Sequence, residues 1–160
     1  SVERHWKQYL DTRPADMPNT SAYADSFYFG TNPQGAEEIS RLVLNGTKTA
    51  TGSLRWSYEA DEKPEPRVGD FSVVTNGGDD PVCIIETTEV RIIPFDEVKE
   101  DYVVDGGEHD RTLDSWIAMY WDYIVSECSR IGRTPSNKTP LVMERFRVVY
   151  SESLADGQDF

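Results

Sequence analysis

The segment from Gly46 to Leu54, GTKTATGSL, carries the residues of this chain that best fit a catalytic role. It places Lys48 among small hydroxyl residues, with Thr51 three positions later. An amine acts as a general base only where burial or a neighbouring cation lowers its pKa toward neutrality. A threonine hydroxyl becomes a nucleophile only when such a base removes its proton. With a carboxylic acid to protonate a departing nitrogen, these two groups suit hydrolysis of an amide without a metal.

A polar loop later in the chain, Glu108 to Arg111, offers that carboxylic acid in Glu108. The neighbouring His109 lies between two carboxylates and would chelate a metal only weakly, because neither it nor His5 has a second ligand at a recognisable spacing. The sequence also lacks a phosphate-binding loop and a serine on a nucleophile elbow. It therefore predicts neither a metal site nor a cofactor.

A solvated strand is the ordinary interpretation of the same lysine and threonine, and the residue types alone favour it. Side chains alternate along a regular strand, so Lys48 and Thr51 would then point to opposite faces. They converge only where the segment is bulged or is still turning out of the preceding helix. Gly46 and Gly52 permit that departure from regular pleating.

The elements that position these segments follow from periodicity and cap residues. In chain order the patterns predict a helix over 2–10, a second helix that ends at Gly46, strands over 48–58, 71–76 and 82–95, a helical turn within 96–111, a helix over 113–131 between Thr112 and Gly132, and a strand over 141–150. Strands and crossover helices do not alternate, so the prediction is an α+β fold with a small, mostly antiparallel sheet or barrel. The tyrosine-rich helix is assigned to the core and to an interface rather than to the active site.

Composition restricts the partners. The 160 residues suit a single domain, and 16 basic against 29 acidic residues give a net charge of −13. This charge opposes long duplex nucleic acid but allows a small basic pocket. No stretch reaches membrane-spanning length, and the two separated cysteines fit reduced thiols, so a cytoplasmic location without a membrane partner is expected. The sequence is silent on the oligomeric state.

Five separated blocks of the chain resemble ASCH (activating signal cointegrator homology) domains, in particular the longer bacterial single-domain members. The blocks are LVLNGTKTATGSL, RVGDFSVV, PVCIIETTEVRIIPF, EHDRTLDSW and MERFRVVY. The resemblance spans residues 25–150 and implies a PUA-like fold, a small mostly antiparallel β-barrel with flanking α-helices. Residues 1–24 would form a helix and loop packed on this domain, and 151–160 a mobile tail.

The same resemblance implies three activities: RNA binding, RNA cleavage and hydrolysis of N4-acylated cytidines. In amidohydrolase members a lysine and a threonine of a G-x-K-x-x-T element work with a glutamate from a later loop. By position these correspond to Lys48, Thr51 and Glu108. The leading prediction is a metal-independent amidohydrolase for N4-acylcytidine-type nucleosides. The alternatives are a metal-independent ribonuclease acting on single-stranded RNA and a non-catalytic RNA- or nucleotide-binding module.

Further side chains are predicted to bind the substrate, a modified nucleoside or a short single-stranded RNA. They are Thr49, Ser53, Arg55, Trp56, Asp110, Arg111 and Arg145. Trp56 offers a stacking surface for a base, although large aromatic side chains more often serve the core. Lys48, Arg55 and Arg145 would contact phosphate in the binding-module alternative. The negative net charge favours a nucleoside, which carries no phosphate, over a polymer.

Overall fold

The computed structural model describes residues 1–13, 22–30, 33–76, 80–108 and 110–151. Within them lie five α-helices, a short 3-10 turn over Phe95–Glu97, and five strands. The helices are α1 Val2–Thr12, α2 Pro33–Leu44, α3 Arg55–Ala60, α4 Glu100–Gly106 and α5 Leu113–Ile131. The strands are β1 Asp25–Phe27, β2 Ala50–Leu54, β3 Phe71–Thr75, β4 Pro81–Pro94 and β5 Pro140–Ser151.

The strands form one sheet in the order β1-β3-β4-β5-β2. The short β1, which the sequence patterns did not predict, pairs parallel to β3, whereas β3 with β4 and β2 with β5 are antiparallel. The predicted α+β class with a mostly antiparallel sheet is confirmed. The predicted tail, 151–160, lies outside the described residues apart from Ser151.

Contacts divide the chain into two compact units, each with its own apolar core. The first unit comprises the described residues within Ser1–Gly46, Gly69–Thr87 and Phe146–Phe160. It contains two clusters of buried side chains. In one, Trp6 and Tyr9 of α1 pack against Phe71, and in the other Phe29 stacks on Phe146.

The second unit, Thr47–Val68 and Thr88–Arg145, has a single core cluster beneath α5. Thr112 caps the start of this helix by accepting a hydrogen bond from the Ser115 N–H at 3.3 Å. Gly132 ends it in the left-handed conformation, with φ +76°. Both predicted caps are confirmed, and they set where α5 begins and ends.

The strand predicted over 48–58 is wrong at both ends. Lys48 and Thr49 precede β2, and the chain turns into α3 directly after Leu54. The aromatic residues of 55–58 favour a strand by propensity, but packing on α5 overrides it. Trp56 packs against the core of the second unit, and the Ser57 hydroxyl donates to Glu127 at 2.6 Å.

Candidate functional site

Lys48 lies on a short connection between α2 and β2 rather than on a pleated strand. Gly46 follows α2 with φ +81°, as a left-handed helix terminator does. The connection is fixed by the Thr49 N–H, which donates to the Asp105 carbonyl of α4 at 2.7 Å. Lys48 is thus positioned by the end of α4, which lies far away in sequence.

Gly107 allows this close approach. It follows α4 with φ +70°, a conformation that favours glycine. A Cβ atom here would lie 2.6 Å from the Thr47 carbonyl oxygen and 3.0 Å from Lys48 Cα. Both the backbone conformation and the space therefore require glycine at this position.

The Lys48 ammonium is buried and donates hydrogen bonds to backbone carbonyls and to a carboxylate. Its Nζ donates to the Ala50 carbonyl at 3.0 Å, to the Gly106 carbonyl at 3.2 Å and to Glu108 Oε2 at 3.0 Å. The Lys48 side chain is 2% exposed and that of Glu108 19%. Burial lowers the pKa of Lys48, and the Glu108 carboxylate opposes that shift. The site therefore holds an amine whose proton is easier to remove than in water, in direct contact with a carboxylate.

Lys48, Thr51 and Glu108 line one cavity in the second unit. Its other lining residues are Ala50, Tyr102, Val103, Gly106, Trp116, Met119, Tyr120 and Met143. The volume open to the centre of a water molecule is about 10 Å³, enough for a single water. Lys48 precedes the pleated strand β2, so the rule that side chains alternate between the two faces of a strand does not apply to Lys48 and Thr51. Both side chains can therefore line the same cavity.

Helix α5 supplies part of the cavity wall, and it also contributes buried residues to the core of the second unit, as predicted. Trp116, Met119 and Tyr120 lie at helical spacing on its inner face, and all three line the cavity. Burial raises the pKa of the Tyr120 phenol, so this side chain stays neutral at ordinary pH. The apolar periodicity identified this face of the helix, but no sequence signal separated Tyr120 from the other aromatic residues on it.

Three predicted substrate-binding residues near β2 do not line the cavity. The Ser53 and Tyr58 hydroxyls are hydrogen-bonded to each other at 2.6 Å. Arg55 is exposed and pairs with Glu65 at 2.8 Å. Trp56 is half-buried, and the Arg133 guanidinium lies over its ring, 4.7 Å from the ring centroid. Trp56 thus serves the packing of this unit.

The remaining predicted residues support the loop and the helix around the cavity. Thr49 acts through its backbone, as described. Asp110 accepts from the Thr112 N–H at 3.0 Å and from its hydroxyl at 2.8 Å. Arg111, in the left-handed region at φ +61°, donates to the Val104 carbonyl at 3.0 Å. Neither Asp110 nor Arg111 lines the cavity.

Arg145 is held by carboxylates. Its guanidinium donates to Glu89 at 3.1 Å, to Asp101 at 3.0 Å and to Asp105, and it lies 4.3 Å from the Tyr102 ring centroid. A phosphate would have to compete with these three acids. The contacts of Arg145 instead connect β5 to α4. The C-terminal end of α4 in turn contacts Lys48.

Ionisation of Tyr102 is expected to lower the stability of the folded state at alkaline pH. Burial, and then a hydrogen bond to Glu89, raise the pKa of Tyr102 from 10 to about 12. A raised pKa contributes stability that is complete below pH 10 and is lost as the pH rises to about 12. We expect the free energy of unfolding to fall more steeply across this window in the wild type than in Tyr102→Phe, as measured by urea denaturation. If the free energy of unfolding falls with pH equally in the two proteins, the raised pKa of Tyr102 would be contradicted.

Comparison with known proteins places this chain in a family. The family model described as ASCH domain matches residues 25–150. The chain belongs to the ASCH family. ASCH domains are associated with RNA. The crystal structure of an ASCH domain from Lactobacillus crispatus is 32% identical, with 93% of this chain and 94% of that chain covered and a TM-score of 0.85. These findings confirm the predicted PUA-like ASCH fold.

A second solved structure agrees over nearly the whole chain. The crystal structure of a protein from Enterococcus faecalis is 28% identical, with 98% of this chain and 92% of that chain covered and a TM-score of 0.83. No protein with a curated function matches significantly. Along the described part of the ASCH chain, no helix is both long and apolar enough to cross a membrane. In the same residues no three His, Cys, Asp or Glu side chains are grouped as metal ligands.

Proposed function

We propose that this ASCH domain is a metal-independent amidohydrolase that removes the acyl group from N4-acylcytidine-type nucleosides. The observation that carries the proposal is the direct contact of a buried lysine with a carboxylate, in a cavity that also contains a threonine hydroxyl. Amide hydrolysis needs a base for the nucleophile and an acid for the departing nitrogen. Lys48 and Glu108 supply both from one hydrogen-bonded pair.

Proton exchange within this pair generates the reactive groups. When substrate excludes water, the charged pair becomes less favourable, and the Lys48 ammonium transfers a proton to Glu108. The neutral amine then takes the Thr51 hydroxyl proton as its oxygen adds to the acyl carbon. Glu108 returns its proton to the cytosine N4 as the C–N bond breaks. For hydrolysis of the resulting Thr51 ester, the Lys48 ammonium again transfers a proton to Glu108. The neutral amine takes a proton from the attacking water, and Glu108 protonates Thr51 Oγ1 as the ester C–O bond breaks, which releases the carboxylic acid and restores the charged pair.

The cavity and the charge of the protein both favour a small neutral substrate. A free nucleoside carries no phosphate, so the net charge of −13 does not repel it. An acylated base needs more room than one water, so binding requires movement of the partly exposed Met119 and Glu108 side chains. Trp116 and Tyr120, stacked 4.3 Å apart, form the aromatic wall beside it.

RNA is a less well supported substrate than a nucleoside, because the arginines that would bind its phosphates are already paired with carboxylates. Arg55 and Arg145, two of the three residues assigned to phosphate, are each engaged by carboxylates. Binding of a polymer depends on cations that neutralise its phosphates. The binding-module alternative would thus require these ion pairs to open.

The test is the release of cytidine from N4-acetylcytidine, followed by chromatography. We expect turnover by the wild type and a loss of about 10²–10⁴-fold in kcat/KM for Thr51→Val, which removes the hydroxyl at constant shape. Thr88→Val is the matched control, since Thr88 is exposed on β4 and does not line the cavity. The proposal fails if the wild type releases no cytidine, or if Thr51→Val remains as active as Thr88→Val.

A further inference from the structure

Arg145 of β5 binds helix α4 at two acidic side chains that lie one turn apart. Its guanidinium donates to Asp101 at 3.0 Å and to Asp105, which is four residues further along the same helix face. It also donates to Glu89 of β4 at 3.1 Å, and the Tyr102 ring lies against it. A planar guanidinium has enough donors in fixed directions to bind all of these carboxylates at once.

Helix α4 needs such a partner, because its own sequence does not favour a stable last turn. It has seven residues and contains no lysine or arginine, and a helix of this length is not stable by itself. Asp101 and Asp105 repel each other across one turn, and the negative charge of Asp105 is unfavourable near the carboxyl end of a helix. Arg145 supplies the missing positive charge from another element.

The carboxyl end of α4 in turn holds the Lys48 segment. The Asp105 carbonyl accepts from the Thr49 N–H at 2.7 Å, and the Gly106 carbonyl accepts from Lys48 Nζ at 3.2 Å. Asp105 therefore binds Arg145 through its side chain and the Lys48 segment through its backbone. A movement of this last turn would move acceptors that hold the lysine.

Arg145 is also placed relative to the strand side of the lysine. In the antiparallel pair of β2 and β5 it lies opposite Ala50, whose carbonyl accepts from Lys48 Nζ at 3.0 Å. Arg145 is thus connected to Ala50 by strand pairing and to the turn that carries Gly106 by its side chain. It links two elements that offer carbonyls to the ammonium.

We propose that Arg145 is a positioning residue that holds the end of α4, and Glu108 beyond it, at the distance that Lys48 requires for proton exchange. It acts through α4 and not on the substrate, which differs from the substrate contact predicted from the sequence. Its link to activity rests on the proposed hydrolase function, whereas its effect on the Lys48 segment is independent of any substrate.

The kinetic test compares Arg145→Gln with Arg147→Gln. Arg147 lies two residues further along β5 and pairs with Glu86 at 2.6 Å, but it is 64% exposed and has no part in the contacts of α4 described above. We expect Arg145→Gln to lower kcat on N4-acetylcytidine by about 10²-fold with little change in KM, since misplacement of a reacting group affects the chemical step. Arg147→Gln should retain the wild-type kcat. Equal kcat values in the two variants would overturn the inference, and so would a raised KM with an unchanged kcat in Arg145→Gln, which would identify a substrate contact.

Amide hydrogen exchange tests the inference without a substrate. The Thr49 N–H reports its hydrogen bond to the end of α4. Two amides of β2 serve as references, since the Gly52 N–H donates to Tyr120 Oη at 3.0 Å and the Leu54 N–H donates to Tyr123 Oη at 2.9 Å. Local loosening of α4 accelerates exchange at Thr49 alone, whereas a general loss of stability accelerates all three amides.

Relative to the two references, we expect exchange at Thr49 to be about 10-fold faster in Arg145→Gln than in the wild type, and unchanged in Arg147→Gln. This pattern in a protein without hydrolase activity would support the positioning role and reject the proposed function. Equal acceleration of the three amides, or no acceleration at Thr49, would reject the positioning role even if the enzyme is active. If Arg145→Gln does not fold, Arg145→Lys keeps the charge without the planar fork, and wild-type exchange at Thr49 in that variant would overturn the inference.

Discussion

Replacement of Lys48 by methionine is expected to abolish hydrolysis of N4-acetylcytidine, with kcat/KM reduced by about 10⁴-fold, the upper end of the range for acid–base catalysis. The variant loses the base, and it also loses the proton that Glu108 would receive for the leaving nitrogen. The loss of the ammonium leaves the Ala50 and Gly106 carbonyls without this donor. We expect this change to lower the free energy of unfolding by about 1–3 kcal/mol.

Lys138→Met is the matched control for this experiment. Lys138 has the same side chain and also pairs with a carboxylate, Asp96 at 3.0 Å, but it is 71% exposed. An exposed pair contributes little, so stability should change by less than about 1 kcal/mol and activity should be retained. Lys48→Arg keeps the positive charge but cannot give up its proton at neutral pH. A fully active Lys48→Arg protein would contradict the proton exchange between Lys48 and Glu108.

Replacement of Gly107 by alanine is expected to impair both stability and activity, although this residue bears no reactive group. The left-handed conformation at φ +70° costs an alanine about 1–2 kcal/mol, and the overlap with the Thr47 carbonyl adds about 1–3 kcal/mol. The Lys48 segment must shift to relieve the overlap. A displacement of about 1 Å at a catalytic group can lower the rate about 10²-fold.

Gly132→Ala separates backbone strain from the overlap. Gly132 also follows a helix with a positive φ, +76°, but a Cβ atom there has no neighbour within 4 Å. We expect Gly132→Ala to show only the conformational cost and to keep wild-type kcat/KM, as measured by urea denaturation and by cytidine release. If the two alanine variants lose equal stability and both remain active, Gly107 does not position Lys48.

Local signals in the sequence were sufficient for several elements. Thr112 and Gly132 bounded α5 because a hydroxyl cap and a left-handed glycine act on their own helix end. A long run of β-branched residues predicted β4, and alternating apolar residues predicted β5. The apolar segment at 71–76 predicted β3, whose five residues are all buried. The strand over 48–58 failed because residues 55–58 are held in α3 by packing on α5, which propensity does not report.

The sequence by itself determined the ASCH resemblance, the α+β class and the choice of Lys48, Thr51 and Glu108 as candidates. Only the tertiary structure decided that the three share a cavity, and that Arg145 is occupied by carboxylates. Gly106 and Glu108 are 58 and 60 residues from Lys48, and Tyr120 is 68 residues from Gly52. Burial and hydrogen-bond partners set the protonation of a side chain, and partners so distant in sequence meet only after folding.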